Sequence, residues 1–561
     1  MSLPILGLLF IVLLALAYRL YGRWVEKQFE VNNAHATPAH TRQDGVDYVP
    51  TRPFYLFGQH FSAIAAAGPI AGPILACQAW GWLPCLLWIG LGVVFIGAVH
   101  DFSSLAASVR HGGHSIAEIT GKHLGKRAGI GMMVFIWIAL LYVIVAFTDI
   151  TAASFVHKTE ELAGANVSFN PGGAVAAAAI FYLILSIIMG LVERYLKPKL
   201  WLSTLIFVPL TFVMVWLGTQ YSTLFILDPI TWGLLILAYC FVASLIPVWA
   251  LLQPRGYLGG FILYTALALG IIGLFFGGFE VQQPAVKSWD IGGMTGSMFP
   301  FLFVTIACGA CSGFHGLVCS GTTSKQIDKE KHMHSVGYGA MLAEGFVALI
   351  ALVTIMIMTS DEIKGLKPGT IYGNGIGSFL TMIIGEENRN FAITFGAMAF
   401  STFVFDTLDV STRLGRYLLQ ELLGWKGKLG AMAATLATIG VPAYFIGASV
   451  EGSWVKYWTL FGASNQLLAA LTLLSITVWL YQARKRIAFT LLPMLFVLVI
   501  TMYSLISLVI GNFKSAIGFD AAMINALFSL TLILLALYLA VTALMKVKAE
   551  RTSTLTPELA T

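Results

Sequence analysis

Long apolar runs separated by short polar segments dominate this chain. Runs of about 20 residues, long enough for a helix that crosses a bilayer, recur at 3–22, 57–79, 82–106, 128–156, 173–193, 199–219, 229–253, 256–279, 297–320, 335–359, 390–412, 428–450, 455–482, 487–511 and 522–546. The composition agrees with this pattern, because 58% of the residues are hydrophobic and only 11% are charged, whereas soluble proteins carry about 25% charged residues. The pattern predicts an all-α, multi-pass membrane protein with about 15 transmembrane helices.

The distribution of charge predicts the orientation of these helices. No positive charge precedes the first run, while Arg19 and Arg23 follow it, which favours an uncleaved anchor with its N-terminus outside the cell. With this orientation, 26 of the 33 Lys and Arg residues fall on the cytoplasmic side and 7 fall outside. The C-terminus is then cytoplasmic. The net charge of +6 therefore reflects membrane topology and does not indicate binding of nucleic acid.

Two of the apolar runs contain prolines that should interrupt a helix. Gly68-Pro69 and Gly72-Pro73 lie in the second run, and Pro247 lies in the seventh. Proline removes a backbone donor and clashes with the preceding turn, and unpaired backbone is tolerated at membrane depth only inside protein or along a cavity. Interrupted helices at matching places in two halves are typical of transporters built on inverted repeats. An ordinary proline kink at Pro247 is the alternative.

These breaks predict a five-plus-five inverted repeat of the leucine-transporter type, with a discontinuous first helix in each repeat and extra helices outside the repeats. The predicted parts are an anchor helix with a cytoplasmic linker, the first repeat, the second repeat, additional transmembrane helices and a disordered cytoplasmic tail, at residues 1–56, 57–225, 226–420, 421–548 and 549–561. A short apolar piece from Gly375 to Ile384 is too short to span the bilayer and is expected to lie in the membrane interface.

The first break is the predicted substrate site. The helix that follows it is expected to begin near Ile74, where free amides and the positive helix end would bind an anion. Glycine would let a small ligand approach the backbone. The residues assigned to substrate binding are Gly68, Pro69, Gly72, Pro73 and Ile74, together with Ser244 and Pro247. Alternatively, the small residues at 64–72 only permit close helix packing.

Ionisable side chains within apolar runs are costly and point to function. The candidates for binding a coupling proton are His60, Asp101 and Asp406. The hydroxyls of Ser320, Thr322 and Thr323, at the end of the ninth run, could instead bind sodium, although the carboxylates and His60 favour protons. Asp409 and Arg413, four residues apart on one helix face, are expected to form a structural ion pair. Glu344 is expected to be a buried packing residue.

A metal site is a further alternative in the ninth run. Cys308, Cys311, His315 and Cys319 would share one face of a straight helix, and such a helix cannot easily close four ligands around zinc. We therefore expect a packing face and no metal or other cofactor. No His-Glu-x-x-His or Gly-x-Ser-x-Gly motif indicates an enzyme. A passive channel and a nutrient sensor remain as the other function classes.

Several motifs resemble the carbon starvation protein A family. They are Phe57-Gly58-Gln59-His60-Phe61, Gly97-Ala98-Val99-His100-Asp101-Phe102, Ala307-Cys308-Gly309-Ala310-Cys311-Ser312-Gly313-Phe314-His315, Ser320-Gly321-Thr322-Thr323-Ser324-Lys325-Gln326, Asp406-Thr407-Leu408-Asp409, Thr412-Arg413-Leu414-Gly415-Arg416-Tyr417 and Leu460-Phe461-Gly462-Ala463-Ser464-Asn465-Gln466. The resemblance implies a bacterial inner-membrane transporter of the amino acid–polyamine–organocation superfamily, so the outside N-terminus expected from the charges would lie in the periplasm. It also implies uptake of pyruvate or short peptides when preferred carbon runs out. We expect proton-coupled uptake of a small carboxylate, pyruvate first and short peptides second, with the substrate and the surrounding lipid as the partners.

Overall fold

A computed structural model of the protein describes residues 2–45, 47–65, 68–156, 169–293, 295–448 and 454–555, and within these ranges it contains helices and no β-strand. The helices of the first half are α1 (Leu3–Leu16), α2 (Arg23–Gln28), α3 (Pro38–Thr41), α4 (Pro53–Ile64), α5 (Gly68–Trp80), α6 (Trp82–Gly92), α7 (Ala98–Arg110), α8 (Ile116–Leu124), α9 (Lys126–Phe155), α10 (Pro171–Tyr195) and α11 (Leu200–Gln220). The π-helical segments Ala17–Gly22 and Val93–Gly97 join α1 to α2 and α6 to α7. Each of these pairs is therefore one continuous helical stretch.

The helices of the second half are α12 (Pro229–Leu245), α13 (Leu252–Phe276), α14 (Met298–Thr305), α15 (Gly313–Gly321), α16 (Ala340–Met356), α17 (Pro368–Ile384), α18 (Arg389–Leu423), α19 (Gly427–Gly447), α20 (Trp454–Gln482), α21 (Ala488–Ser515) and α22 (Ala521–Leu555). A π-helical segment, His334–Gly339, precedes α16, and the single 3-10 turns are Val248–Ala250, Thr323–Lys325 and Glu386–Asn388. Since α22 continues to Leu555, the segment predicted as a disordered tail begins in a helix. Residues 556–561 lie outside the described residues.

Every predicted apolar run corresponds to helical structure. Twelve described helical stretches are long and apolar enough to cross a membrane, and α4 with α5 forms one further, bent crossing. The remaining two runs correspond to α12, which is a shorter apolar helix, and to α14 with α15, which are separated by residues 306–312. The chain is thus a multi-pass, all-α membrane protein, as the apolar pattern predicts.

Helix α17 differs from the prediction of an interfacial segment. Its side chains Ile371, Ile376 and Phe379 are fully buried, and its glycines allow a close approach to neighbouring helices. A Cβ on Gly373 would lie 2.8 Å from the Cβ of Ala397 in α18. The helix therefore packs within the protein, because small residues on its surface let α18 come close enough to bury its apolar side chains.

The linker between α2 and α4 lies against the segment that follows α15. Glu330 is 1% exposed and accepts hydrogen bonds from Arg110 Nε and Nη2, at 2.5 and 2.9 Å, and from the backbone N–H of Asn32 at 2.9 Å. Further along, the Thr51 N–H donates to the Gln326 carbonyl at 3.0 Å. Glu330 therefore joins the end of α7 to the linker.

Burial alone would raise the pKa of Glu330, but the hydrogen bonds from Arg110 and Asn32 hold it below its usual value. A carboxyl group whose pKa is lowered in the folded state stabilises the fold above its unfolded pKa, about 4.3. This contribution is lost as the pH falls through the folded pKa. The interaction should therefore stabilise the protein at neutral pH and not in strong acid.

We predict that Glu330→Gln lowers the free energy of unfolding by about 1–3 kcal/mol at pH 7.5, because hydrogen bonds to a charged group are lost. The measurement is thermal unfolding of the purified protein in detergent over a pH series. The difference from the wild type should stay constant down to about pH 4.3 and shrink only below it, as the pH falls through the lowered folded pKa. Glu386→Gln is the matched control, since the ion pair between Glu386 and Arg389 is exposed and should contribute little. Equal destabilisation by both variants would contradict the assignment.

Candidate functional site

The second interrupted helix lies at residues 306–312 and not at Pro247. α14 ends at Thr305 and α15 begins at Gly313, although the sequence predicts one continuous run over 297–320. Pro247 lies in the connection between α12 and α13, where Ile246 is extended with ψ 155°, as is usual before proline. The prediction for Pro247 was therefore wrong, since this proline ends one helix instead of interrupting it.

The two interrupted helices run side by side in opposite directions. At one end, Thr51 next to the start of α4 pairs with Gln326 beyond the end of α15. At the other end, the Trp80 indole at the end of α5 donates to the Gly296 carbonyl before α14, at 3.1 Å. The two interrupted helices are thus antiparallel, which is the relation expected between inverted units.

The start of α5 is in contact with the second break. A Cβ on Gly72 would lie 2.6 Å from the Thr305 carbonyl oxygen and 3.2 Å from Ile306 Cα, and a Cβ on Gly68 would overlap the side chain of Cys308. Both glycines are buried. They therefore permit close packing of α5 on the second break, as the packing alternative expects.

Helix α5, which follows the first break, begins at Gly68, six residues before the predicted start near Ile74. Pro69 is in its first turn, where the missing N–H has no helical partner to lose, and Pro73 is accommodated inside the helix. Residues 66 and 67, which precede this start, lie outside the described residues. The prediction placed the break too late because it treated both prolines as helix breakers.

Side chains satisfy the backbone that the second break releases. Indole and amide donors reach three carbonyls: Trp458 binds Thr305 at 3.1 Å, Trp88 binds Ile306 at 3.1 Å and Gln466 binds Phe303 at 2.8 Å. Asn465 accepts from the Phe314 N–H at the start of α15, at 2.9 Å, and donates to Ser312 Oγ at 3.0 Å. An irregular segment at membrane depth needs such partners, so Asn465 and Gln466 hold the broken conformation.

Four buried ionisable side chains form a row beside the second break. His100 Nδ1 lies 2.7 Å from Asp101 Oδ1, and the other Asp101 oxygen lies 2.9 Å from His315 Nδ1. His315 Nε2 lies 3.1 Å from Glu344 Oε2, which is an ion-pair distance although the hydrogen-bond angle is poor. All four side chains are at most 1% exposed. We call these residues the His–carboxylate row; it joins α7, α15 and α16.

The sequence pattern identifies only part of this row. Asp101 is at its centre, while His315 was considered only as a metal ligand and Glu344 as a packing residue. The helix boundaries explain why His315 is part of the row, because it is the third residue of α15, and α15 begins directly after the break. No sequence signal from Glu344 alone would have placed it beside His315.

His60 lies near the row and contacts the end of α15. Its Nδ1 lies 2.9 Å from Thr323 Oγ1, and its Nε2 lies 3.9 Å from Cys319 Sγ. Thr323 is thereby engaged, Ser320 Oγ donates to the Gly316 carbonyl at 2.7 Å, and Thr322 is exposed. The three hydroxyls predicted for sodium therefore do not converge on one point in this structure.

The cysteines and His315 do not share a straight helix. Cys308 and Cys311 lie in the break, whereas His315 and Cys319 lie in α15. Within the described residues, no group of three or more His, Cys, Asp or Glu side chains is arranged to hold a metal ion. Both ring nitrogens of His315 lie against carboxylate oxygens, so neither is free to bind a metal ion in this structure.

Asp406 and Asp409 form a second cluster, around the buried Arg255; Asp409 is buried too, while the Asp406 side chain is 24% exposed. Arg255 is 1% exposed and its Nε lies 2.9 Å from Asp406 Oδ1, while its Nη1 lies 2.5 Å from Asp409 Oδ2. The Tyr239 hydroxyl donates to Asp409 at 2.8 Å. Asp406 is thus held by a cation in this structure, and Arg255 was missed because it follows an apolar run.

The predicted Asp409–Arg413 ion pair is replaced by other contacts. Arg413 donates to the carbonyls of Ala243 and Ile246, at 2.7 and 2.9 Å, and Arg416 donates to that of Ser244 at 2.7 Å. These carbonyls end α12 and have no further partner within the helix, so they bind the arginines of α18. Ser244 therefore contacts α18, whereas Gly68 and Gly72 contact the second break.

Comparisons with known proteins agree on one family. The family model of the carbon starvation protein CstA matches residues 4–374 and 366–504. The chain is 32% identical to a peptide transporter CstA of Campylobacter jejuni, over 87% of this chain and 78% of the relative, and 31% identical to that of Bacillus subtilis, over 95% of each. It is also 32% identical to the pyruvate/proton symporter BtsT of Escherichia coli, over 87% of this chain and 79% of the relative. The chain is thus about equally similar to relatives named for peptides and to one named for pyruvate.

We predict that Gly72→Ala lowers the free energy of unfolding by about 1–3 kcal/mol, because the added methyl group meets backbone and not a movable side chain. Gly440→Ala in α19 is the control, since a Cβ there would meet no atom within 4 Å and alanine favours a helix. Thermal unfolding in detergent measures both variants. A Gly72→Ala protein as stable as the Gly440→Ala protein would contradict the close contact of α5 with the backbone of the second break.

Proposed function

Because the chain belongs to the carbon starvation protein CstA family, whose members are transporters and not enzymes, we propose that it imports a small carboxylate, preferably pyruvate, together with protons. The observation that carries this proposal is the His–carboxylate row. Burial of ionisable groups at membrane depth is costly, and such groups mark proton relays in transporters. A relative named as a pyruvate/proton symporter supports the same chemistry.

The row is suited to bind and release protons. It consists of imidazole and carboxyl groups, which can both bind and release a proton, whereas the guanidinium of Arg stays charged. Among the described residues, no Lys or Arg lies at ion-pair distance from its carboxylates. Sodium has less support, because the hydroxyls of Ser320 and Thr323 are engaged elsewhere.

The two breaks are the proposed place for the substrate carboxylate. α5 and α15 both start at a break, and helix starts favour anions through their free amides and dipole. Gly68, Pro69, Gly72 and Pro73 in this proposal form the wall of the site and move away from residues 305–309 when substrate binds. An anion held at the start of α15 would lie within one helical turn of His315.

The proposed architecture is alternating access between two inverted units. The discontinuous helices of these units are α4–α5 and α14–α15, so the second unit starts near residue 298 and not at 226. The N-terminus is placed in the periplasm and the C-terminus in the cytoplasm of a bacterial inner membrane by the excess of Lys and Arg in alternate loops. His60 and Asp406 are assigned to proton transfer outside the central row.

Uptake of short peptides is the second candidate function. It is favoured by the presence of Asp101 and Glu344, since a peptide carries an ammonium group that a buried carboxylate could bind. The relatives from Campylobacter jejuni and Bacillus subtilis are named peptide transporters. In this case the helix starts would hold the peptide carboxylate and the row would hold its amino end.

We predict that proteoliposomes containing the protein accumulate labelled pyruvate when the outside is more acidic than the inside. Unlabelled pyruvate should compete at lower concentration than di- or tripeptides. Accumulation above the outside concentration separates a transporter from a passive channel, and transport itself separates it from a sensor. Uptake driven by a sodium gradient at equal pH would contradict proton coupling, and stronger competition by peptides would favour the second function.

Matched variants test the role of the row in the same assay. Asp101→Asn should reduce uptake driven by the pH gradient at least tenfold, because the central carboxylate is lost. Asp149→Asn is the control, since Asp149 is also a carboxylate within a membrane-spanning helix, α9, but does not belong to the row. It should retain most of the uptake. Equal loss in both variants would contradict a specific role for the row.

A further inference from the structure

We propose that the His–carboxylate row holds one resident proton and has a place for one exchangeable proton, so that each monocarboxylate crosses the membrane with a single proton and no net charge. This inference rests on the proposed function and assigns its stoichiometry. It follows from counting the hydrogens that the geometry of the row requires.

The resident proton is required by His315. Its Nδ1 lies 2.9 Å from an oxygen of Asp101 and its Nε2 lies 3.1 Å from an oxygen of Glu344. A neutral imidazole has one N–H and one lone pair, and a lone pair facing a carboxylate oxygen at this distance is repelled. A second hydrogen must therefore lie on this ring or on one of the two carboxyl groups.

The row with this proton still carries a charge of −1. Asp101 and Glu344 contribute two negative charges and the resident proton contributes one positive charge. In this proposal His100 is a neutral ring whose Nδ1 carries the hydrogen of the 2.7 Å contact with Asp101, so it adds no charge. One further proton would make the row neutral, which is the favoured state of a group of charges buried away from water.

The two ends of the row are the places for this proton. His100 Nε2 is buried and has no hydrogen-bond partner, and the same holds for Glu344 Oε1, the oxygen that does not face His315. Buried polar atoms in folded proteins are otherwise nearly always hydrogen-bonded. The orphaned lone pairs at both ends therefore mark positions where a proton can bind without displacing an existing interaction.

The surroundings do not supply another compensating charge. The titratable groups that face the row are His60 from α4, Cys319 from α15, and Cys308 and Cys311 from the break, and α20 contributes the neutral amides of Asn465 and Gln466. Thiols and a neutral imidazole carry no charge. Within the described residues, the row is therefore an isolated negative group beside the break.

This charge couples the proton to the substrate. A monocarboxylate at the start of α15 would be repelled by the row at charge −1, and this repulsion disappears when the exchangeable proton binds. By linkage, the anion then raises the affinity of the row for the proton by the same factor. One anion and one proton bind together, and the loaded site has the charge of the empty site.

The test uses proteoliposomes with a potassium gradient and valinomycin to set the membrane potential independently of the pH gradient. The accumulation ratio of pyruvate should change about tenfold per pH unit and should not change with the membrane potential. Uptake that depends on the potential, or that ignores the pH gradient, would overturn the stoichiometry while leaving pyruvate transport intact. An absence of any pyruvate uptake would instead overturn the proposed function.

A variant of one end of the row provides the second measurement. Glu344→Gln removes one negative charge, so the row is neutral with its resident proton alone. This protein should still exchange labelled for unlabelled pyruvate, without dependence on pH, but should no longer accumulate it against a gradient. Glu344→Asp keeps the carboxyl group and should restore pH-driven accumulation. Accumulation by Glu344→Gln at the wild-type level, or exchange by it that remains pH-dependent, would overturn the proposal.

Discussion

The contact between the two interrupted helices is the constraint on which the central part of this structure depends. A bilayer offers no water to unpaired backbone groups, so each break is stable only if protein surrounds it. Gly72 lets α5 approach the Thr305 carbonyl closely, while Trp88, Trp458 and Gln466 satisfy the carbonyls of the second break. The small residues at the start of α5 and the polar partners of the second break therefore stabilise the same contact.

This contact places the buried side chains of the His–carboxylate row beside the second break. Because α15 begins at Gly313, His315 is in its first turn and faces Asp101 in α7 and Glu344 in α16. A movement of α15 relative to α7 and α16 would change the distances that hold the protons of the row. In the proposed cycle, the breaks and the row therefore respond to the same motion, which is what coupling of substrate to proton requires.

The apolar pattern predicted the helices well because each membrane crossing needs about 20 apolar residues, and every predicted run has helical structure. The second break was misplaced because proline was taken as the mark of an interruption. Residues 306–312 contain no proline and are broken instead by glycine, small side chains and the hydrogen bonds of Asn465. The partners of His315 and Asp409 come from helices distant in sequence, so no spacing along the chain, including that of Asp409 and Arg413, could have identified them.

The linkage between binding of the substrate and binding of one proton can be measured without transport. Purified protein in detergent, in a weakly buffered solution with a pH indicator, is mixed with increasing pyruvate while binding is followed in parallel by calorimetry. We expect uptake of up to one proton from solution per pyruvate bound. This number should approach one as the pH is raised until the unliganded row has lost its exchangeable proton. Pyruvate binding without proton uptake at every pH would contradict it.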